Sequence, residues 1–531
     1  MTRVLTAADT ALLLEAADLA ESMRLLPALI AAELPGVTEL VPAARTILVR
    51  FDPRRTAAAT LRAQLLSIEP AAAQGVRSDP VVIPVRYDGE DLAAVSQLLG
   101  TSPAELVARH VAAAWTVAFT GFAPGFGYLV GDDPRFDVPR RPTPRTRIPA
   151  GSVGLAGRFS GVYPTESPGG WQLIGRTDAA MWDLERDPPA LLRPGSPVRF
   201  ERTERELVAA AAPSRRVVDA PHAIEVLRPG AQLLVEDLGR PGRAGQGVAA
   251  SGTADRASLR EANRAVGNPP GEAGLELAGG GAVLRFRGAA VVALSGALAH
   301  ATVRAAEGRH PVEHGSAVAI EDGDELHIGA PHDGLRVLLA IRGGLALDPV
   351  LGSLATDTLA HLGPEQLAAG AVVPLRGPGR GSTAVEPTRA PRIPLPVAGE
   401  TVDLAIVLGP RDDWFTEAAL ASLLEQEWEV TPRSDRVGVR LRGTPLARSR
   451  EGELESEGAV TGAIQVPPDG QPVLFLPDHP LTGGYPVIGA VVDRDLDRAG
   501  QLPPGARVRF HLAVQPAGAA RTRTGEPCRR S

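Results

Sequence analysis

A chain of 531 residues is too long for one hydrophobic core, and roughly three or four domains of ~100–200 residues are expected. Aromatic residues make up 4% while Gly (58) and Pro (49) are plentiful, a balance that favours short strands and tight turns over helical bundles. The net charge of −7 leaves no basic footprint for nucleic acid, no run approaches the ~18 apolar residues of a membrane span, and all 55 basic residues are arginine.

In chain order, residues 7–33 carry apolar side chains at helical spacing (Leu12, Ala16, Leu19, Met23, Leu26). Residues 46–51 read as a strand, Asp52-Pro53 as a turn and 56–67 as an amphipathic helix, so 1–78 is expected to be a small α/β domain. A second unit, 79–205, opens with a strand at 81–87 and helices near 92–99 and 104–114, then runs as strand and turn to Phe200. The charged, then alanine-rich stretch 206–221 reads as a linker. Beyond it the chain is β-rich from Ile224, with one helix at 258–266. Gly and Pro crowded at 377–400 divide 222–390 from 391–515, and 516–531 reads as a disordered tail. The expected fold class is α+β, mainly β. The apolar run 11–14 is broken by Glu15 and Asp18, unlike a signal peptide, and the lone Cys528 leaves no internal disulfide, so a cytoplasmic protein is expected. Without lysine there is no Walker-A loop, no Schiff-base amine and no attachment point for biotin.

Two distant stretches end alike. Gly169-Gly170-Trp171, Ile174-Gly175, Pro194-Gly195 and Val198-Arg199-Phe200 recur in the same order as Gly483-Gly484-Tyr485, Ile488-Gly489, Pro504-Gly505 and Val508-Arg509-Phe510. Local turn chemistry can produce either half but not readily the same order twice, so two related β-rich domains are expected, each with an aromatic beside a glycine pair.

The densest run of site-like residues lies within 119–177. Glycines 151, 154 and 157 suit a nest of backbone N–H groups for an oxyanion, with Arg145 and Arg147 as forked donors. Ser152, Ser167, Gly170 and Trp171 complete the substrate-binding candidates there; the alternative is a set of hairpin turns beside a solvated basic loop. In the second half, Arg436, Glu457, Gln465 and Tyr485 accompany Asp435 and His479, which form the expected acid–base pair, with Arg436 holding the anionic part of a substrate. Asp435 is preferred to Asp478 because neighbours on a strand face opposite ways. Asp237, Arg240, Asp255 and Arg256 read by default as exposed ion pairs, with Asp255 also a substrate-binding candidate. No metal-ligand spacing appears, and no metal is expected.

The runs GFAPGFGYL, TPRTRIPAGSVGLAG and GVYPTESPGGWQLIGRT resemble the B subunit of bacterial ATP-dependent 5-oxoprolinase, a family also called allophanate-hydrolase subunit 1. VEDLGRPGRAGQGV, AIRGGLALDPVLGS, SDRVGVRLRG, SEGAVTGAIQVPPDGQPV and PDHPLTGGYPVIG resemble the C subunit of the same enzyme, so the chain resembles a B–C fusion over about residues 30–515. The resemblance implies repeated cyclophilin-like β-barrels: one at 79–205 and two more at 222–390 and 391–515. It also implies opening of 5-oxo-L-proline to L-glutamate with a separate A subunit, ATP with Mg entering through the assembled enzyme. Of the family's usual Ala-Met-Asp the chain keeps Asp255 alone, and Pro364 stands where the family has arginine. Two further readings stay open: the carboxyltransferase component of a biotin-dependent urea carboxylase, or a non-catalytic kinase-binding regulator. The substrate in the first two is a small amide. Self-association is left open, and no biotin is carried on this chain.

Overall fold

The computed structural model describes residues 2–72, 79–207, 220–377, 385, 394–452 and 454–513; the expected linker falls largely outside these residues, and the expected tail wholly so. Strands β1 (Arg3–Ala8), β2 (Ala11–Glu15), β3 (Val37–Pro42) and β4 (Thr46–Phe51) form an antiparallel sheet in the order β1-β2-β4-β3, accompanied by helices α1 (Leu19–Ala32) and α2 (Ala58–Ser67). The helix expected from residue 7 therefore begins later. All five residues of β2 are buried, so its leucines run continuously, and periodicity does not separate such a strand from a short helix. Leu12 and Leu14 pack under the helices, whereas Leu13 packs against Ala405 and Val407 of the last domain. The helix starts only where Asp18 caps it, accepting from the Glu21 N–H at 2.8 Å.

The next unit contains β5 (Val81–Val85), α3 (Leu92–Leu98), α4 (Pro103–Ala112), β6 (Trp115–Thr120), β7 (Gly127–Gly131), β8 (Arg145–Ile148), β9 (Ser152–Ala156), β10 (Phe159–Val162), β11 (Ser167–Gly169), β12 (Gln172–Arg176) and β13 (Pro197–Arg202). Seven strands follow the order β12-β9-β10-β7-β6-β13-β5, and reciprocal 2.9 Å hydrogen bonds between Arg86 and Arg176 join the two ends into a barrel. β8 and β11 form a separate ribbon.

The middle unit is built differently. Strands β14 (Ala223–Pro229), β15 (Gln232–Glu236), β16 (Gly274–Ala278), β17 (Ala282–Arg287), β18 (Ala290–Ala305), β19 (Gly308–Pro311), β20 (Val318–Ile320), β21 (Glu325–Ile341) and β22 (Val372–Pro374) make a nine-stranded sheet organised on the long β18–β21 pair. The expected single helix is α5 (Arg256–Val266).

The last unit holds β23 (Thr401–Leu408), α6 (Glu417–Glu425), β24 (Trp428–Val430), β25 (Gly438–Arg442), β26 (Glu457–Gly458), β27 (Ala463–Gln465), β28 (Val473–Phe475), β29 (Thr482–Gly483), β30 (Val487–Val491), α7 (Leu496–Gly500) and β31 (Arg507–Leu512). It closes as β23-β30-β27-β28-β25-β24-β31, with β26 and β29 as a ribbon. Strand for strand this is the order of the first barrel, including a parallel pair at the same place (β5 with β13, β23 with β31). Even details recur: the Trp115 indole donates to the His110 carbonyl at 2.9 Å, and the Trp428 indole to the Leu423 carbonyl at 3.2 Å, each anchoring the helix before its strand. The repeat read from the glycines and aromatics is a repeat of the whole barrel.

Candidate functional site

Arg411 is the hub of a cavity of about 360 Å³ where the N-terminal sheet meets the second barrel. Its Nε donates to both carboxylate oxygens of Glu457 (2.9 and 3.0 Å), and its Nη2 donates to Glu15 (2.9 Å) and Glu457. Glu15, at the end of β2, also accepts from Arg3 Nε (2.7 Å) and Arg45 (3.1 Å), and Arg45 reaches Glu455 at 3.6 Å. Arg450, Trp414 and Ser456 contribute to the wall. Arg3, Glu15 and Arg45 come from the N-terminal domain and the others from the last, so neither half of the chain makes this cavity alone. Burial disfavours ionisation of both carboxyls. For Glu457 burial wins over Arg411 and the pKa rises; for Glu15, Arg411 and Arg3 outweigh burial and the pKa falls. The cavity therefore pairs a carboxyl that grips its proton more tightly than usual with half-exposed guanidinium groups on Arg3, Arg45 and Arg450.

The first barrel has the same position with the charges exchanged. Gly89 and Asp91 donate backbone N–H bonds to Ile174 (3.2 Å) and Leu173 (2.9 Å), as Gly409 and Arg411 do to Ile488 (2.8 Å) and Val487 (3.2 Å). In the ribbons, Arg145 lies opposite Gly169 and Glu457 opposite Gly483. Asp91 accepts from Arg145 (2.9 Å), Arg141 (2.7 Å) and the Leu173 N–H (2.7 Å), an acid held by bases where the second barrel has a base held by acids.

The nest expected at 151, 154 and 157 does not form, because the sheet consumes its donors. Gly151 N–H bonds the Tyr163 carbonyl (2.8 Å), Ser152 N–H and Oγ both bond the Pro149 carbonyl, and Gly157 N–H bonds the Val138 carbonyl (2.6 Å). Gly154 sits in β9, paired on both sides. The second expected donor, Arg147, is exposed and paired with Glu166. Trp171 is no open wall either: it is buried among Phe126 (5.3 Å between rings), Tyr128 (5.5 Å) and Tyr163. Its counterpart Tyr485 is exposed, its carbonyl accepting from Gln465 Nε2 at 3.2 Å. The Gly170 carbonyl accepts from the Arg141 N–H (2.8 Å), while Ser167 Oγ and Arg145 Nη1 are buried without a hydrogen-bond partner among the described residues.

The expected Asp435–His479 pair is also replaced. Asp435 is exposed and closes its own turn, accepting from the N–H groups of Val437 (2.9 Å) and Gly438 (3.0 Å). His479 is buried, its ring stacked on Phe475 and its Nδ1 bonded to the Pro480 carbonyl (2.8 Å), and burial lowers its pKa to about 4. A ring that stays neutral to that pH, with Nδ1–H donating, offers only Nε2 as an acceptor. Arg436 cannot hold an anion from solution. It is fully buried between the middle sheet and the second barrel, bonded to Asp478 (3.0 and 3.1 Å), Glu276 and the Gly252 carbonyl (2.6 Å), with Glu236 at 3.2 Å. Asp478, and not Asp435, is the acid that engages it, and Asp478 also accepts from Ser251 (2.6 Å) and from Thr358 Oγ1 (2.7 Å). Asp237, Arg240 and Asp255 are likewise not surface ion pairs. Asp237 binds Ser353 and the Leu354 N–H, Arg240 is buried against the Ala355 carbonyl, and Asp255 caps α5 while accepting from Gln501 (2.7 Å). Burial raises the Asp255 pKa to about 6.

Two family descriptions match, and together they take in both halves. "Carboxyltransferase domain, subdomain C and D" matches residues 2–192, and "Carboxyltransferase domain, subdomain A and B" matches residues 246–512. The chain belongs to the carboxyltransferase-domain family. Within that family it is 41% identical over 172 residues to the B subunit of 5-oxoprolinase from Escherichia coli O157:H7, covering 32% of this chain and 79% of that protein. It is 30% identical over 290 residues to the C subunit of 5-oxoprolinase from Escherichia coli K12, covering 54% of this chain and 90% of that one. The crystal structure of TTHA0988 superposes with a TM-score of 0.80 at 35% identity, over 96% of this chain and 100% of that chain. The carboxyltransferase-domain barrels thus occur here as B-like and C-like segments in one polypeptide.

Proposed function

We propose that this chain is the fused B and C component of an ATP-dependent 5-oxoprolinase, acting with a separate A subunit, and that the Arg411 cavity is where the lactam is opened. The observation that carries the reading is the shared cavity: its walls come from the B-like and the C-like segments together, as expected if both must be present for turnover. A lactam is an unstrained amide, so its carbonyl needs activation, which phosphorylation of the amide oxygen supplies. Water would then attack the activated carbon, and the C–N bond would break as Glu457 passes a proton to the departing nitrogen. Phosphate would leave, and Arg45 with Arg3 would hold the substrate carboxylate. ATP with Mg would enter through the assembled enzyme. The test is glutamate release from 5-oxoproline with ATP, with and without a matching A subunit. Activity only with the partner is expected. Robust turnover by the chain alone would overturn the need for it, and turnover requiring a biotin carrier and bicarbonate would favour carboxyl transfer instead.

A further inference from the structure

A second cavity, about 870 Å³, lies at a different junction and shares no lining residue with the first. Three units meet there: the β1–β2 turn with β3 and β4, the first turns of α5, and residues 493–497 ahead of and within α7. Four aspartates and five arginines line it, so its formal charges nearly balance, and the pairing decides which guanidinium groups stay open. Each aspartate on the wall is engaged: Asp52 by Arg54 (3.0 Å), Asp493 and Asp497 by Arg256 (2.8 and 3.1 Å), and Asp9 by the Asp493 N–H (3.1 Å). Arg50 is turned to Glu39 at 3.2 Å. That leaves Arg260, from α5, and Arg494, from the last unit, facing the cavity without an ion pair or side-chain hydrogen bond among the described residues. Arg54, on the N-terminal unit, is 89% exposed and forms its ion pair with Asp52.

We propose that this cavity binds a phosphate-bearing small molecule, held by Arg260 and Arg494. Two guanidinium groups on walls from different units, neither in an ion pair among the described residues, call for an anion. A phosphoryl group carries up to two negative charges and so can answer both guanidinium groups, whereas a carboxylate carries one. The volume is that of a site for a ligand larger than bare phosphate, and Phe51 and Pro53 give it an apolar side. Burial and the neighbouring Asp493 raise the Asp9 pKa, and the charge of Arg494 opposes them. The site does not depend on the reading of the Arg411 cavity, because it is tested by binding and not by turnover.

Titration calorimetry on the full chain, with inorganic phosphate, pyrophosphate and ATP as separate probes, tests it. Saturable binding of at least one probe is expected, weakened roughly 10-fold or more by Arg260→Gln and by Arg494→Gln, and unchanged by Arg450→Gln at the other cavity. Arg494 is exposed, so its variant keeps the fold intact if Arg260→Gln does not; unchanged melting temperatures check both. ATP binding more tightly than pyrophosphate would identify a nucleotide, and equal binding a free phosphate species. Absence of binding by all three probes at millimolar concentration, equal affinity in the double variant, or preference for a dicarboxylate over every phosphate would overturn the proposal.

Discussion

Arg411 illustrates what a single residue carries here. It bridges two buried carboxyls from different domains, Glu457 beside it in the second barrel and Glu15, which lies 396 positions away along the chain. Arg411→Met leaves both without their main partner and should cost about 3–5 kcal/mol by denaturant unfolding, the usual consequence of breaking a buried pair. Glu457→Gln keeps a hydrogen-bonding group and should leave the fold intact while lowering turnover of the reconstituted enzyme about 10²–10⁴-fold. Near-normal turnover in that variant would remove Glu457 from the chemistry. Histidines give a second residue-scale test. His110, between the Tyr87 hydroxyl (2.8 Å) and Ser160 (2.9 Å), and His479 are buried and neutral, with pKa values lowered to about 3 and about 4 by burial. The unfolded chain takes up these protons near pH ~6.5 and the folded chain does not. Stability is therefore complete above that pH and falls as pH drops toward 4, by up to about 1.4 kcal/mol per pH unit for each ring. Urea unfolding across pH 4–7 should show His479→Gln flattening that slope. Glu457 and Arg145 are legible in the sequence because they stand in dense polar motifs. Arg411 and Glu15 are not, since only folding brings them together.

Elements show the same division. Strands and turns of the barrels follow from glycine, proline and β-branched patterning, and the repeat exposes their pairing. β2 misleads because a strand buried on both faces loses its alternation. The glycines at 151, 154 and 157 mislead for a related reason: they are close in sequence, but the sheet directs their N–H groups to different carbonyls. Replacing turn glycines by alanine separates backbone geometry from packing. Gly151 has φ +77° and a Cβ there would stand 2.1 Å from the Thr177 carbonyl oxygen, whereas Gly195 has φ +86° with open space around it. Gly195→Ala should cost only the left-handed backbone penalty, about 1–2 kcal/mol, and Gly151→Ala clearly more, measured as the difference in unfolding free energy. Equal costs would mean that the loop before β9 relaxes without loss.

At the scale of the molecule, the B-like and C-like segments are joined by more than the connecting chain. Glu39 accepts from the Gly242 (2.9 Å) and Ala244 (3.3 Å) N–H groups, Thr120 donates to the Ala244 carbonyl (3.1 Å), and Ala44 N–H bonds the Ser456 carbonyl (3.2 Å). Residues 2–207 and 220–513 expressed as two polypeptides should therefore co-purify as one complex on size exclusion. Separation at micromolar concentration would show that the covalent link, not the interface, holds them. The buried Arg436 network does the same for the middle sheet and second barrel, and no reading of the chain as loops and strands anticipates it, because burial is what turns its charges from surface decoration into a fastening.

The exchanged charges of Asp91–Arg145 and Arg411–Glu457 have a consequence for how two look-alike barrels assemble without confusion. During folding, a ribbon from one barrel could dock on its twin, since backbone pairing is the same in both. Each crossed docking would set acid against acid (Asp91 with Glu457) or base against base (Arg411 with Arg145), in positions that lose water on closure. The polarity of each pair thus works as a key, letting every ribbon recognise its own barrel and refuse its double.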